Sequence, residues 1–304
     1  MDVLTDVLNA LELKGWLSSR LEIAPPWHIN FAHSRDCIFH ILHFGNGYLQ
    51  IEGETTPRRV ADGDVLVFPY GDAHTLCDNL TSPVTKVSYL DYHARRTYQI
   101  SSFEGEGTKN ILLCGAFHFE HPDEYPLLQC LPKLIHIPGE QGRLAHGFTD
   151  IVNLIAREST SRQPGTETML KRLTELLFIQ VLRVWIEQQT QAPAGWLAAL
   201  RDQSISTALG LIHQFPERGW KVAELADAVA LSRSAFSSRF TSLVGEPPMK
   251  YLIRWRMHLA TRLLKNGVKM GKITEILGYE SEVAFRKAFT REVGTPPATY
   301  RKRN

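Results

Sequence analysis

The chain has 304 residues, 43% of them hydrophobic and 22% charged, with a formal net charge of +2. That length is enough for two domains with separate cores, and the composition excludes a disordered or low-complexity chain. The first residues, "MDVLTDVLNALELKGWL", are acidic, and nowhere do about 18 uncharged apolar residues run together, so neither a secretion signal nor a membrane helix is expected.

A cytoplasmic protein is the expectation. Its four cysteines, Cys37, Cys77, Cys114 and Cys130, are widely spaced without a CxxC pair and are expected as reduced thiols. The small net charge hides a division: residues 1–199 hold 16 Lys and Arg against 23 Asp and Glu, and residues 200–304 hold 18 against 9. A polyanion partner for the basic third follows, the alternative being a solvated basic face.

From Ile38 to Tyr92 short apolar runs alternate with turn residues: "CIFHILHF", "GYLQIEG", "RRVADGDVLVFPYGDAH" and "VTKVSYLDYH". Runs this short, rich in β-branched and aromatic residues and closed by Gly, Pro, Asn and Asp, predict a compact all-β sandwich or barrel. A further strand is expected at "NILLCGAFHF", residues 110–119. After Leu144 the period lengthens: "RLAHGFTDIVNLIARES" and "ETMLKRLTELLFIQVLRVWIEQQ", parted by "SRQPGT", predict two antiparallel helices. Leu173, Leu177, Val181 and Trp185 form a stripe that suits a dimer interface and equally the inside of a monomer. "TQAPAG" reads as a linker, giving domains over 1–190 and 196–304 joined by 191–195.

The remainder, from Trp196 to Asn304, reads as helix and contains a repeat. Ser232, Phe236, Phe240, Gly245, Pro247, Pro248 and Tyr251 return 49 positions later as Ser281, Phe285, Phe289, Gly294, Pro296, Pro297 and Tyr300. Two copies are too few for a helical solenoid, which needs about three or more, and indicate a pseudo-symmetric module. Ahead of them "VAELADAVALS" aligns with "MGKITEILGYES". Each copy therefore predicts a short helix, a tight turn and a second helix starting at Ser232 or Ser281, whose hydroxyl can accept from first-turn N–H groups. Gly278 supplies turn freedom in the second copy, where Ala230 stands in the first.

On the second helices Phe236, Phe240 and Leu243, and likewise Phe285, Phe289 and Val293, face inward. That leaves Arg233, Ser234, Ser237 and Ser238 outward in one copy and Glu282, Val283, Arg286 and Lys287 in the other. A helix-turn-helix puts such side chains on base edges and phosphates in the major groove. Between the copies "MKYLIRWRMHLATRLLKNG" predicts a helix of about 17 residues, roughly 25 Å long. This spacing brings the two readers near the ~34 Å of one DNA turn. Its Arg254, Arg256, Arg262 and Lys265 are candidates for phosphate contact or for an exposed scaffold face.

"WKVAELADAVALSRSAFSSRFTSLVGEPPMKYLIRWRMHLATRLL" and "ITEILGYESEVAFRKAFTREVGTPPATYRK" resemble the AraC/XylS-type transcriptional regulators over residues 196–304. The resemblance implies two helix-turn-helix units joined by a long helix, binding double-stranded promoter DNA, most often as an activator, with RNA polymerase as a partner. Gly271 departs from the family's usual Ala, and Ala230 from its common Gly. In front, Gly63, Pro69, Gly71 and His74 of "GDVLVFPYGDAH" resemble the second motif of the cupin barrels. With "PPWHINF", "FHILHFGNGYLQIEG" and "LLCGAFHF" they resemble the cupin-like sensory domains ahead of AraC-type readers, over about residues 10–140. The expected fold class is two-domain: a cupin-like N-terminal β-barrel plus helices, and an all-α double helix-turn-helix.

A metal-dependent cupin needs three or four converging ligands. His40 and His43, three apart on a strand, point to opposite faces, and Asn79 follows His74 by five positions rather than four. His40 and His74, with Cys77 or His28, are weak metal candidates, and no cofactor is expected. The two histidines are expected instead as polar anchors of an effector pocket in the barrel mouth. A purely structural, dimerising barrel and a thiol switch through Cys114 and Cys130 are further readings, against which stand buried, inert thiols. Two function classes follow. One is a bacterial one-component regulator bound to promoter DNA, RNA polymerase and an unknown small-molecule effector, with a homodimer open. The alternative is a metal-dependent cupin enzyme, a dioxygenase or isomerase, with a helical appendage. No nucleophile elbow, HExxH or phosphate loop is present to support it, and the regulator is the expectation.

Overall fold

A computed structural model describes residues 3–11, 13–84, 98–119, 126–188 and 196–303. The chain divides into two compact units, Glu12–Thr190, and Met1–Leu11 together with Gln191–Asn304. No helix among the described residues is long and apolar enough to cross a membrane.

In the first unit β1 (Lys14–Ile23), β3 (Cys37–Phe44), β6 (Val65–Phe68), β8 (Gln99–Phe103), β9 (Asn110–His118) and β10 (Ile135–Ile137) form one sheet, ordered β10-β6-β3-β9-β1-β8. The second sheet holds β2 (His28–Phe31), β4 (Asn46–Ile51), β5 (Arg58–Ala61) and β7 (His74–Cys77), ordered β2-β7-β4-β5. Leu21, Trp27, Ile38, Leu49, Phe68 and Leu76 share the core of this unit. The expected cupin-like unit is present as two sheets, which among the described residues do not close into one barrel. Its edge strand β5 is four residues long with Arg58 and Arg59 exposed, and Arg58 is tied to Glu54, so the edge is charged and short. Such an edge discourages further pairing.

The expected strands at 37–44 and 110–119 correspond to β3 and β9, and "RRVADGDVLVF" to β5 and β6. The expected strand in "VTKVSYLDYH" lies, from residue 85 on, outside the described residues, as does the linker 191–195. Pattern reading missed β1 because Ser18, Ser19 and Arg20 sit buried in its middle. Ser18 Oγ donates to Cys114 O at 3.0 Å, and Arg20 Nη1 donates to Ser159 Oγ at 3.1 Å. Buried polar groups with partners are tolerated, but they erase the apolar signature.

Among the described residues four helices, α2 (Pro126–Gln129), α3 (Gly139–Leu144), α4 (Phe148–Glu158) and α5 (Thr166–Gln188), belong to the sheet unit; α1 (Val3–Ala10) is in the helical unit. The helix expected from residue 143 is broken before α4, where Gly147 takes φ 76°. Leu173, Leu177 and Val181 are buried, and Phe178 lies against Phe117 at 5.0 Å between ring centres. The stripe offered as a dimer surface is thus used inside the unit, because the six-stranded sheet needs a cover for its second face.

The helical unit holds α1 (Val3–Ala10), α6 (Trp196–Arg201), α7 (Gln203–Gln214), α8 (Val222–Ala228), α9 (Arg233–Val244), α10 (Pro248–Lys265), α11 (Met270–Ile276), α12 (Glu282–Val293) and α13 (Pro297–Arg303). The expected domain over 1–190 is adjusted at its start. Val3, Val7 and Leu11 are 3%, 4% and 0% exposed, and α1 packs on α7.

The repeat is explained residue by residue. Ser232 and Ser281 cap α9 and α12, accepting from Ala235 and Ala284 N at 3.2 and 3.1 Å. Gly245 and Gly294 end these helices at φ 86° and 78°, the left-handed C-terminal position that favours glycine. Pro248 and Pro297 then open α10 and α13, where a missing N–H costs nothing. Phe236 meets Phe240 at 5.6 Å and 57°, and Phe285 meets Phe289 at 5.7 Å and 53°. The tyrosines close each core edge-on: Phe240–Tyr251 at 5.9 Å and 74°, Phe289–Tyr300 at 5.7 Å and 76°. The 49-residue repeat in sequence is thus a repeat of caps, cores and stops in space.

Candidate nucleic-acid interface and core histidine pair

Each copy folds as helix, turn, helix. In the turn of the first, Ala230 takes φ 55°, and in the second Gly278 takes φ 68°. Beyond the turns, Arg233, Ser234 and Ser238 of α9 are exposed and Ser237 is half-buried. On α12, Val283, Arg286 and Lys287 are exposed and Glu282 is half-buried. Val283 is an apolar residue at 63% exposure on the first turn of a helix whose inner face is fully packed. Arg286 Nη2 pairs with Glu282 Oε2 at 2.9 Å, one turn earlier.

The basic residues of α10 do not form one set. Arg256 is buried, and this corrects its candidacy for phosphate contact. Its Nε donates to Pro216 O at 2.6 Å and its Nη2 to Arg218 O at 3.0 Å, and its guanidinium lies 5.4 Å from the ring centre of Tyr279. It clasps the turn before the first copy to the turn of the second. Gly278 packs on the same place, since a Cβ there would stand 1.8 Å from Glu217 O. Arg254 is ion-paired with Glu246, whereas Arg262 is exposed. Sequence reasoning also missed Arg239, bound by Asp202 at 2.5 Å, and a buried trio around His213. His213 Nε2 meets Tyr251 Oη at 2.8 Å, its Nδ1 lies 3.3 Å from Asp6 Oδ2, and its ring stacks on Trp255 at 3.7 Å. Burial pushes His213 down to about 3. Tyr251, raised by its own burial, keeps its proton and can donate it to His213 Nε2, which suits the neutral ring that burial favours.

In the sheet unit His40 and His74 are brought together between the sheets, 0% and 4% exposed. Their Nε2 atoms are 2.8 Å apart, His40 Nδ1 is 3.1 Å from Cys114 Sγ, and His74 Nδ1 is 2.7 Å from Asp72 O. One proton order satisfies all four groups without a charge. A carbonyl can only accept, so His74 Nδ1–H donates to Asp72; His74 Nε2 then accepts from His40 Nε2–H, and His40 Nδ1 accepts from the Cys114 thiol. Phe68 stacks on His74 at 3.7 Å and Phe31 on its other side at 4.8 Å. The expected polar anchors of a pocket mouth are therefore core groups. His43 faces elsewhere, onto a cavity of about 220 Å³ with Asp62, Phe148 and Asn153; burial, aided by the Arg20 charge, lowers its pKa. Of the thiol-switch candidates, Cys114 is fully buried and Cys130 half-buried.

Comparison with known proteins joins the two units. A cupin family model matches residues 2–187, and a helix-turn-helix domain model matches residues 225–303. A Streptomyces lividans protein described as an AraC-like transcription regulator is 34% identical over 304 residues, covering 99% of this chain and 98% of its own. The chain belongs to the AraC-like transcription regulators. A second relative is the HTH-type transcriptional regulator AlkR of Acinetobacter baylyi, 29% identical over 310 residues and covering 100% of both chains. The DNA-binding domain of the global transcriptional factor AdpA, in complex with a target DNA, is similar at 32% identity over 34% of this chain and 92% of that domain, with a TM-score of 0.32.

Among the described residues the histidine pair does not make up a metal's ligand set. Two ring nitrogens converge there, and Cys114 approaches His40 through the opposite nitrogen, so its sulfur cannot complete the set. Among the described residues no group of three His, Cys, Asp or Glu is placed to hold an ion. Four ligands is the rule for a closed zinc site and three for an open one.

Proposed function

We propose that this AraC-like regulator binds double-stranded promoter DNA with the first turns of α9 and α12 in successive major grooves. We further propose that it activates transcription through RNA polymerase when its cupin unit binds a small-molecule effector, and that it catalyses no reaction. A second copy of the chain on the DNA belongs to the same reading. The observation that carries it is the doubled, Ser-capped helix with matched aromatic cores, each copy leaving its first-turn side chains exposed. Arg233, Ser234, Ser237 and Ser238 read one groove, and Glu282, Val283, Arg286 and Lys287 the next. In α12, Arg286 is held by Glu282 in a posture for guanine, and Val283 suits a thymine methyl. The 18 residues of α10, about 27 Å of helix, separate the readers on one face of the duplex.

Fluorescence anisotropy with promoter fragments recovered by genomic footprinting tests this. Affinity should fall linearly with log salt. Arg286→Ala should cost about 1–3 kcal/mol and relax the preference at one base pair, and Lys287→Ala should weaken all sequences alike and lower the salt slope by about 1. Unaltered binding in both variants would refute the placement of α12 in the groove.

A further inference from the structure

Resting on the reading of the cupin unit as a sensor, we infer that its effector is an amphipathic carboxylate bound outside the sheet sandwich, beneath the strap formed by α2 and the turn after it. The space between the sheets is filled by the histidine pair and its aromatic neighbours. A cavity of about 260 Å³ lies instead on the outer face of the six-stranded sheet, with Phe117, Phe119 and Cys37 below, Leu128 and Leu131 above, and Tyr70 to one side. Its wall is mostly apolar, as small-molecule sites are, and its size suits an apolar body of about a dozen non-hydrogen atoms.

Among the described residues no carboxylate lines this cavity, and its rim carries the exposed Arg35 with His33 and Ser34 beside it. Arg35 makes no ion pair among the described residues, whereas the acid beside it, Asp36, is taken by His118 at 2.8 Å. A guanidinium at the edge of an apolar cleft selects a carboxylate, which it can meet with two parallel hydrogen bonds. At the other end the Tyr70 hydroxyl faces Leu131 O at 2.9 Å and Leu128 O and Gln129 O at 3.2 Å. One proton serves three carbonyls there, which holds the strap in place and leaves that end unsuited to an anion. The ligand therefore lies with its carboxylate at Arg35 and its apolar body toward Leu128 and Leu131. The floor leads on to α5, since Phe117 and Phe119 both abut Phe178, at 5.0 and 5.1 Å.

Two other cavities make weaker sites for such a molecule. The one at His43 carries Asp62 and Asn153, and the one at Gly15 carries Glu167 beside Lys171.

The test is titration calorimetry of the full chain with 4-phenylbutyrate and its neutral counterpart 4-phenylbutan-1-ol. The acid should bind at least tenfold more tightly. Arg35→Gln should remove that preference while leaving the alcohol's affinity unchanged, and Leu131→Trp, which fills the cavity, should abolish binding of both. Should Leu131→Trp not fold, methyl spectra of the wild type serve instead, with the Leu128 and Leu131 signals moving on titration. Equal binding of acid and alcohol, no binding of either, or an unmoved pair of leucine signals overturns the inference. Salt-dependent binding of promoter fragments by the same preparation would then leave the regulator reading standing.

Discussion

Ala230 carries its methyl group at φ 55°, in a region L-residues enter at a cost, while its counterpart Gly278 enters freely at φ 68°. Ala230→Gly should therefore stabilise the helical unit by about 0.5–1 kcal/mol, the relief of strain exceeding the entropy glycine adds to the unfolded chain. Gly278→Ala should cost about 3 kcal/mol or more, because strain is joined by a clash with Glu217 O. Urea midpoints of the two variants check both signs. The need for a left-handed residue at 278 was legible in the aligned turns; the carbonyl of Glu217 that also excludes a side chain was not, since it arrives from outside the repeat.

His213 gives a pH dependence. Its ordinary value is 6.5 and its folded value about 3, so between them the unfolded chain takes up a proton that the folded chain refuses. Stability is intact above pH 6.5 and falls as the pH drops, by about 1.4 kcal/mol per pH unit. Denaturation at pH 7 and pH 5 should show this loss in the wild type and a smaller one in His213→Gln.

Among the helices and strands, the amphipathic and capped ones were readable and the internally polar ones were not. α9, α10 and α12 announce themselves by Ser, Pro and Gly at their ends and by Phe at helical spacing. β1 hides Ser18, Ser19 and Arg20 in its middle, and β10 is only three residues long. That short strand is held through His136, whose Nε2 lies 2.8 Å from Asp64 Oδ2, while Asp64 Oδ1 also accepts from Gly139 N at 2.8 Å. The clasp between the two helix-turn-helix units belongs to this scale too. Arg256→Gln removes the donors to Pro216 and Arg218 and should cost about 2–4 kcal/mol, with affinity falling at both half-sites at once. Arg262→Gln, on an exposed face, should leave stability within about 0.5 kcal/mol of the wild type. Calorimetric unfolding and anisotropy on the same promoter fragment distinguish the two variants.

For the molecule as a whole, charge and chain path are the main features. The excess of Lys and Arg after residue 200 was plain in the sequence and matches a helical unit made to approach a polyanion. The path of the chain was not: the first helix lies in the helical unit, ahead of the sheets in sequence but packed with the C-terminal helices. Removing residues 1–11 would strip three buried apolar side chains and the Asp6 contact to His213. This deletion should lower the stability of the helical unit by about 3–5 kcal/mol, an upper estimate from area. Hydrogen exchange in α7 would show it as faster exchange than in the full chain.

The sequence by itself determined the family, the twin reading units and the outward residues of α9 and α12, because caps, turns and helical spacing act over a few residues of chain. Only the tertiary structure decided that His40 and His74 are core groups, that Arg256 is a clasp rather than a phosphate contact, and that the first helix belongs with the C-terminal ones. Each of these depends on which distant groups share a buried space, where a polar side chain keeps its place only by finding a partner, and local sequence carries no record of that partner.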